Sequence, residues 1–238
     1  MENINNLRVK IFADGADKED MLAMSKKTFI KGLTTNPTLM RKAGIKNYKD
    51  FCFDILEYIK DKPISFEVFS DEFSEMKRQA IEIASWAKNV YVKIPISNTK
   101  REYSYSLIKE LSDLGISLNV TAIMTEEQVD NVAKVLNPNI PSYVSVFAGR
   151  IADTGRDPVP MMQRAVKTLS SFPMAELIWA SPRELLNIFQ ADSIGCHIIT
   201  VTPEILGKLK MIGYSLEDYS LDTVKMFYED AKNAQYIL

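Results

Sequence analysis

The chain has 238 residues, of which 46% are hydrophobic and 25% are charged, and its formal net charge is -2. This composition describes a soluble globular chain with enough apolar material for a core, and the small net charge excludes a general attraction to nucleic acid or anionic membranes. Any anionic ligand must therefore be held by a small local site. Cys52 and Cys196 are the only cysteines, too few for a disulfide framework or a cysteine-rich metal site.

The compartment and the number of domains follow from the same features. The first residues, MENINNLRVKIF, have no apolar signal core, and no apolar run is long enough to cross a bilayer. We therefore expect a cytoplasmic protein with no membrane partner. No linker rich in Gly, Pro or Ser divides the chain, so we expect one domain over residues 1–238.

Short runs of β-branched or aromatic residues alternate with longer stretches of helical period along the chain. The predicted strands cover residues 9–13, 30–34, 64–69, 90–95, 116–120, 143–147, 176–179 and 196–201. Right-handed crossovers would make successive strands parallel, and eight of them favour closure into a (β/α)8 TIM barrel. An open doubly wound sheet is the alternative.

Several predicted helices carry signals for where they begin. Thr125, followed by Glu126 and Glu127, has the pattern of an N-cap, and Ser181 followed by Pro182 predicts a helix with proline at its first position. Between the third and fourth strands, residues 71–88 repeat apolar side chains at helical spacing.

The final segment, residues 215–238, is predicted to be an additional C-terminal helix. It carries apolar side chains at helical spacing, namely Leu221, Val224, Phe227 and Tyr228. These would pack either on a second subunit or back on the barrel of the same chain. We expect a homo-oligomer.

Polar residues cluster at the predicted carboxyl ends of strands, where barrel enzymes place their active sites. They are Asp14, Thr34, Thr35, Asn36, Glu67, Lys93, Asn119, Thr121, Ser145, Arg150, Ser181 and Arg183. Each alone has an ordinary structural explanation as a turn former or a helix cap. Their convergence on one rim favours a binding or catalytic site.

Lys93 stands out because it lies within VYVKIPI, a run otherwise suited to burial. Strand alternation places Val90, Val92 and Ile94 on one face, so Lys93 is expected to point into the barrel. Desolvation would favour its neutral, nucleophilic amine. Glu67 on the preceding strand could be a structural ion-pair partner instead, but a buried pair is rarely a net gain in stability, so chemistry is favoured.

Five segments together carry a family resemblance. They are GLTTNPTL (32–39), VYVKIP (90–95), NVTAI (119–123), VSVFAGRI (144–151) and WASPR (179–183). In this order they resemble the strand-end motifs of the transaldolase family, and the length is similar to that of its short branch, which includes the fructose-6-phosphate aldolases. The resemblance implies a Schiff-base barrel enzyme that acts on phosphorylated sugars without a metal or organic cofactor.

The resemblance also implies roles for individual residues. Lys93 matches the lysine that condenses with the ketose carbonyl, and Asp14 matches the acid/base that takes the proton of the C4 hydroxyl. Glu67 and Thr121 match the pair that positions water for carbinolamine dehydration. The substrate-binding residues implied for the dihydroxyacetone part are Thr34, Asn36, Asn119 and Ser145.

The phosphate site implied by the resemblance consists of Arg150, Ser181 and Arg183, with help from a helix beginning at Pro182. The chain departs from common family residues at Gly15, Val146 and Pro182, which changes the shape of the pocket more than the mechanism.

Two residues bear on the fate of the three-carbon unit. Phe147 and Glu67 resemble the transaldolases, where short aldolases often carry tyrosine and glutamine. A phenol could orient a water that hydrolyses the dihydroxyacetone adduct, whereas a phenyl ring cannot. We therefore expect transfer to an acceptor aldehyde, as in the pentose phosphate pathway, with free fructose-6-phosphate aldolase activity as the alternative.

Two further functions remain open from the residues. One is a phosphosugar isomerase or epimerase with Glu67 as its base, and the other is a non-catalytic sugar-phosphate-binding barrel. His197 is the only histidine, which argues against a metal hydrolase, so no metal site is expected. Tyr103 and Tyr105 do not lie in a basic stripe, and no nucleic-acid partner is expected.

Overall fold

A computed structural model describes residues 4–237, so the outermost residues of the predicted domain, 1–3 and 238, lie outside the described part. Eight parallel strands close into a barrel in the order β1 to β8. Their bounds are β1 Lys10–Asp14, β2 Ile30–Thr34, β3 Ile64–Glu67, β4 Val90–Pro95, β5 Leu118–Ile123, β6 Ser142–Val146, β7 Ala175–Trp179 and β8 Ile198–Val201. Because β1 pairs with both β2 and β8, the sheet has no edge. The predicted TIM barrel is confirmed, and the open sheet is excluded.

The strand bounds differ from prediction by two residues or more at β3, β5 and β8. β3 ends at Glu67, two residues earlier than predicted, whereas β5 continues to Ile123, three residues later. The continuation passes through Ala122, whose φ of 62° marks an irregularity in the pairing of β5 with β6. Such a left-handed residue inside a strand breaks the alternation on which the sequence prediction depends.

Helices follow the strands around the outside of the barrel. Their bounds are α1 Lys18–Ser25, α2 Pro37–Lys42, α3 Tyr48–Tyr58, α4 Phe73–Ala84, α5 Tyr105–Asp113, α6 Glu126–Val135, α7 Ala148–Ala152, α8 Val159–Leu169, α9 Leu186–Ser193, α10 Pro203–Gly207 and α11 Leu216–Asn233. The predicted cap at Thr125 is a full capping box, in which Thr125 Oγ1 accepts from the N–H of Gln128 and Gln128 Oε1 accepts from the N–H of Thr125.

The helix predicted to begin at Pro182 does not begin there. Ser181 has a φ of 60°, and the chain stays irregular until α9 begins at Leu186. The side chain of Asn187 accepts hydrogen bonds from the backbone N–H groups of Arg183 and Glu184, at 2.7 and 3.1 Å. These bonds stabilise an irregular loop where the sequence pattern indicates a helix start.

Two apolar layers hold the barrel. Val90, Val92 and Ile94 belong to the large core between the sheet and the helices, as the alternation of β4 predicts. The interior of the barrel holds a separate aromatic cluster, in which the Tyr91 and Tyr143 rings stack at 4.1 Å and Phe12 meets Tyr143 edge-on at 5.6 Å. This cluster fills the interior beneath the strand ends.

Gly32 on β2 is required by that packing. A Cβ atom at this position would lie 2.5 Å from the ring of Phe12, which is too close for any contact between carbon atoms. The absent side chain of β2 therefore makes room for the large aromatic side chain of β1.

The C-terminal helix α11 is confirmed over Leu216–Asn233, with Ser215 as its cap. None of its residues is buried, and Leu221, Val224, Phe227 and Tyr228 are 50–65% exposed. The alternative in which these side chains pack on the barrel of the same chain is therefore wrong. Within residues 4–237, no helix has both the length and the apolar character that a membrane crossing needs.

His197, just before β8, takes part in the sheet through its side chain. Its Nδ1 accepts a hydrogen bond of 3.0 Å from the backbone N–H of Leu177. Burial lowers the pKa of His197; the nearby Glu176 opposes this shift and Lys10 adds to it. Since protonated Nδ1 cannot accept, the unfolded chain binds this proton more readily than the folded protein does.

We expect this titration to make stability depend on pH. The contribution is complete above the unfolded pKa of about 6.5 and is lost as the pH falls toward the lower folded pKa, with a slope of up to about 1.4 kcal/mol per unit. Urea unfolding between about pH 7.5 and 5.5 measures it. His197→Asn keeps an acceptor that does not titrate and should flatten this slope. An equal slope in that variant would assign the effect to other groups.

Candidate active site

Lys93 lies on β4 with its side chain inside the barrel, and only 6% of the residue is exposed. Its Nζ lies 3.0 Å from Glu67 Oε2 and donates to the backbone carbonyl of Thr35 at 3.0 Å. Both partners are acceptors, which is what an amine needs when protein replaces its water. The inward direction predicted from strand alternation is thus the one in the structure.

Strand register brings the partners of Lys93 to the same level. Glu67 pairs with Lys93 across β3 and β4, and Lys93 pairs with Asn119 across β4 and β5. The backbone of Glu67 is held in place as well, because the Tyr48 hydroxyl on α3 donates to the backbone carbonyl oxygen of Glu67 at 2.7 Å. The ion pair that the sequence allowed between Glu67 and Lys93 is therefore present, and it places a carboxylate beside the amine.

Asp14 ends β1 at the same rim. Thr34 Oγ1, at the end of β2, donates to Asp14 Oδ1 at 2.8 Å. Burial raises the pKa of the Asp14 carboxyl, an effect that the positive Lys93 and the Thr34 bond oppose and that Glu67 reinforces. A carboxyl with a raised pKa is suited to exchanging protons near neutral pH. Thr34, predicted to bind substrate, contacts Asp14 here.

A chain of hydrogen bonds crosses the interior from β3 to β6. Asn119 Nδ2 donates to Ser65 Oγ at 3.0 Å, and Ser145 Oγ donates to Asn119 Oδ1 at 2.7 Å. The two bonds fix which end of the Asn119 amide faces each side. Ser65 was not among the predicted site residues, although its position two residues before Glu67 on the same strand face was a usable signal.

Thr121 and Asn36 differ in how their side chains are hydrogen-bonded. Thr121 Oγ1 is buried and has no hydrogen-bond partner within residues 4–237. Such a buried hydroxyl costs free energy unless something else bonds to it. The Asn36 side chain caps α2, with its Oδ1 accepting from the Leu39 N–H at 3.0 Å, so its amide N–H groups remain for another partner.

Two arginines follow β6 and β7. Arg150 is on the short helix α7, and its guanidinium carbon lies 5.9 Å from the centre of the Phe147 ring. Arg183 donates through Nη1 to Ser181 Oγ at 3.0 Å and forms an ion pair with Asp153. The helix start expected at Pro182 begins at Leu186 instead, so it supplies no N–H groups next to Ser181.

The segments that carry these two arginines, α7 and the loop after β7, touch each other closely. A Cβ atom on Gly149 would lie 1.6 Å from the carbonyl oxygen of Ser181 and 3.3 Å from Arg183 Nε. Only glycine allows the backbone of α7 to approach the loop after β7 at this distance. The approach brings Arg150 and Arg183 to one side of the rim.

The predicted site residues thus form two groups on the carboxyl side of the barrel. One comes from the ends of β1, β2, β3, β5 and β6, on either side of Lys93 in β4, and consists of Asp14, Thr34, Asn36, Glu67, Asn119, Thr121 and Ser145. The other follows β6 and β7 and consists of Phe147, Arg150, Ser181 and Arg183. Their catalytic and binding roles stay predictions. Sequence reasoning missed Ser65, Tyr48 and Asp153, and for Tyr48 there was no signal, because its contact depends on helix packing.

Among positions 4–237, no three His, Cys, Asp or Glu side chains lie together in a way that could hold a metal ion. His197 belongs to the amino end of β8, away from the rim that carries Lys93.

Comparisons with known proteins match the whole barrel. A sequence model of the family described as Transaldolase/Fructose-6-phosphate aldolase matches residues 11–237. A probable transaldolase of Thermoanaerobacter sp. is 33% identical, covering 91% of this chain and 95% of that protein. One of Dehalococcoides mccartyi is 32% identical, covering 95% of this chain and 100% of that protein. The chain therefore belongs to the transaldolase/fructose-6-phosphate aldolase family.

Proposed function

We propose that the protein is a transaldolase, which moves a dihydroxyacetone unit from a ketose phosphate to an aldose phosphate through a Schiff base on Lys93. The observation that carries this proposal is the buried Lys93 amine, held by Glu67 and the Thr35 carbonyl at the barrel rim. A lysine in such a position is more costly than an apolar residue, so a role for its amine accounts for it.

In this mechanism the Lys93 amine adds to the C2 carbonyl of fructose 6-phosphate or sedoheptulose 7-phosphate and forms a carbinolamine. Glu67, 3.0 Å from the amine, and the free hydroxyl of Thr121 assist the proton transfers that expel water and leave the iminium. Both groups lie on strands adjacent to β4.

Cleavage then requires a base at the C4 hydroxyl. Asp14 takes this proton, the C3–C4 bond breaks, and its electron pair moves into the iminium to give an enamine. The fragment that contains C4 leaves as an aldose phosphate, with the former C4 hydroxyl oxygen as its aldehyde oxygen. The raised pKa of Asp14 suits a group that must later return the proton. The enamine attacks the acceptor aldehyde, and hydrolysis of the new iminium restores the amine.

Substrate recognition uses the remaining polar groups. The fixed amide of Asn119, with Ser145, and the free N–H groups of Asn36 bind the hydroxyls of the dihydroxyacetone part. Arg150 and Arg183 bind the phosphate, since guanidinium groups present paired donors that match a dianion. This local site supplies the positive charge that the chain lacks as a whole.

Phe147 supports transfer over release. Its ring lies beneath the Arg150 guanidinium and has no hydroxyl with which to orient water at the enamine or iminium. A fructose-6-phosphate aldolase, which releases free dihydroxyacetone, is the second candidate, because the matching family includes both activities. An isomerase with Glu67 as its base would leave the Lys93 amine without a covalent role.

The proposal includes a homo-oligomer. The exposed side chains of Leu221, Val224, Phe227 and Tyr228 form one stripe along α11, and a second copy of the chain would cover them. The cytoplasmic location and the absence of a metal or organic cofactor stay predictions from the sequence.

Covalent chemistry at Lys93 is tested by trapping. After incubation with fructose 6-phosphate and borohydride, we expect a reduced dihydroxyacetone unit on Lys93, detected by intact mass and peptide mapping. Lys93→Met should retain the far-ultraviolet dichroism but form no adduct and have no turnover. Lys62→Met is the matched control, because the Lys62 amine also donates to backbone carbonyls, at 2.6 and 2.9 Å, but precedes β3 at the other rim.

An adduct that persisted in Lys93→Met, or full activity of that variant, would exclude the Schiff base on this lysine. Bound ligand without any adduct in the unmodified protein would favour the non-catalytic barrel.

Transfer and release are separated by their products. With fructose 6-phosphate alone we expect little free dihydroxyacetone, and with erythrose 4-phosphate added we expect rapid formation of sedoheptulose 7-phosphate. Phe147→Tyr should raise the release of free dihydroxyacetone by about tenfold or more, since a phenol can orient the hydrolytic water. Release from the unmodified protein at a rate that rivals transfer would make it an aldolase.

The oligomer is tested by light scattering. We expect a mass above that of one 27.0 kDa chain, and Val224→Asp should lower it by placing a charge in the apolar stripe of α11. Met226→Asp is the control, because Met226 is similarly exposed at 52% but points away from Val224 on the helix. Equal dissociation by both variants, or a monomeric unmodified protein, would refute this interface.

A further inference from the structure

Asp153, directly after α7, holds one edge of the Arg183 guanidinium. Arg183 Nε donates to Asp153 Oδ1 at 2.8 Å, and Arg183 Nη2 donates to Asp153 Oδ2 in the same pair. A bidentate contact of this kind fixes the plane of the guanidinium as well as its position. No predicted role of this site involves Asp153.

The donors of Arg183 can be counted. A guanidinium has five N–H groups. Asp153 takes one on Nε and one on Nη2, and Ser181 Oγ takes one on Nη1. Two N–H groups therefore remain, one on each terminal nitrogen. These are the donors that Arg183 offers to an anion while Asp153 stays in place.

The backbone of Asp153 is also held in place. Its backbone N–H donates to the Gly149 carbonyl at 2.9 Å, and Gly149 itself closely approaches the Ser181 carbonyl. The hydrogen bonds from Arg183 and the charge of the nearby Arg150 hold the pKa of Asp153 below its usual range, so its carboxylate stays ionised near neutral pH.

We propose that Asp153 is a positioning residue of the phosphate site, which orients Arg183 in advance so that its two remaining N–H groups face the phosphate of the sugar. The proposal rests on the assignment of Arg150 and Arg183 to phosphate binding in the proposed function. Asp153 acts through Arg183 and does not touch the substrate.

A competing effect has the opposite sign. The carboxylate of Asp153 also repels a phosphate dianion, so its removal could tighten binding. The side chains of Arg183 and Asp153 are 44% and 52% exposed, and water screens repulsion between charges at such positions. Ordering a half-exposed arginine side chain costs conformational entropy, and water does not reduce this cost as it reduces charge repulsion. Because Asp153 already orders the Arg183 side chain, phosphate binding does not have to supply that free energy. Orientation therefore outweighs repulsion.

The experiment compares Asp153→Asn with Glu184→Gln. Asn keeps the size of the side chain but loses its charge and one of its two carboxylate acceptors. Glu184→Gln removes the same charge from the neighbouring loop, at an exposed side chain that makes no ion pair in the described part of the chain. Calorimetry with inorganic phosphate gives the dissociation constant without any covalent step, and borohydride trapping gives the half-saturating concentrations of fructose 6-phosphate and of unphosphorylated fructose.

We expect Asp153→Asn to weaken phosphate binding about fivefold and to raise the half-saturating concentration of fructose 6-phosphate by the same factor. The half-saturating concentration of unphosphorylated fructose and the maximal trapping rate should not change. A general loss of structure would change both, so this result separates it from positioning. In an Arg183→Met background, Asp153→Asn should have no further effect, because the two residues act as one unit.

Unchanged or tighter phosphate binding by Asp153→Asn, or an equal loss in Glu184→Gln, would overturn the proposal. The same holds if the unmodified protein does not bind inorganic phosphate. If it binds phosphate but forms no adduct on Lys93, the transaldolase mechanism fails, while the phosphate dissociation constants still decide the role of Asp153.

Discussion

The register of the closed parallel barrel is the constraint on which the site depends. Every strand ends at the same rim, and the pairing of β3 with β4 and of β4 with β5 sets Glu67, Lys93 and Asn119 side by side. A shift of one residue in this pairing would turn each of these side chains to the helix-facing layer. The large core between sheet and helices holds the register in place, because it accepts only the apolar face of each strand.

Polar groups inside a barrel lower its stability unless they are bonded, and this barrel satisfies most of those near Lys93 with one another. The amine has Glu67 and the Thr35 carbonyl, and Asn119 has Ser65 and Ser145. The hydroxyl of Thr121 is buried without a partner inside residues 4–237, at a cost of about 1–3 kcal/mol. The aromatic cluster beneath the rim and the outer core supply the burial that tolerates such a cost.

The arginine side of the rim is positioned by loop contacts rather than by strand register. There the positions depend on loops, on the close approach of Gly149 to Ser181 and on the ion pair of Arg183 with Asp153. These groups are partly exposed, so water weakens each individual contact. Precision at this end comes from the bidentate geometry and the short backbone distance. The phosphate group of the proposed substrate suits such a site, because its charge is large and it is remote from the carbons that would react.

The sequence by itself determined the eight strands, the inward direction of Lys93 and the C-terminal helix, because each follows from local periodicity of apolar residues. It favoured parallel closure but left an open sheet possible, and the pairing of β1 with β8 decided between the two. It also placed the predicted site residues at one rim, since parallel strands end together. Tertiary structure alone decided the partners: the bond of Tyr48 to the Glu67 carbonyl, the pair of Asp153 with Arg183 and the late start of α9. These depend on how a helix or a loop packs against a distant strand, and local sequence patterns carry no record of distances between such elements.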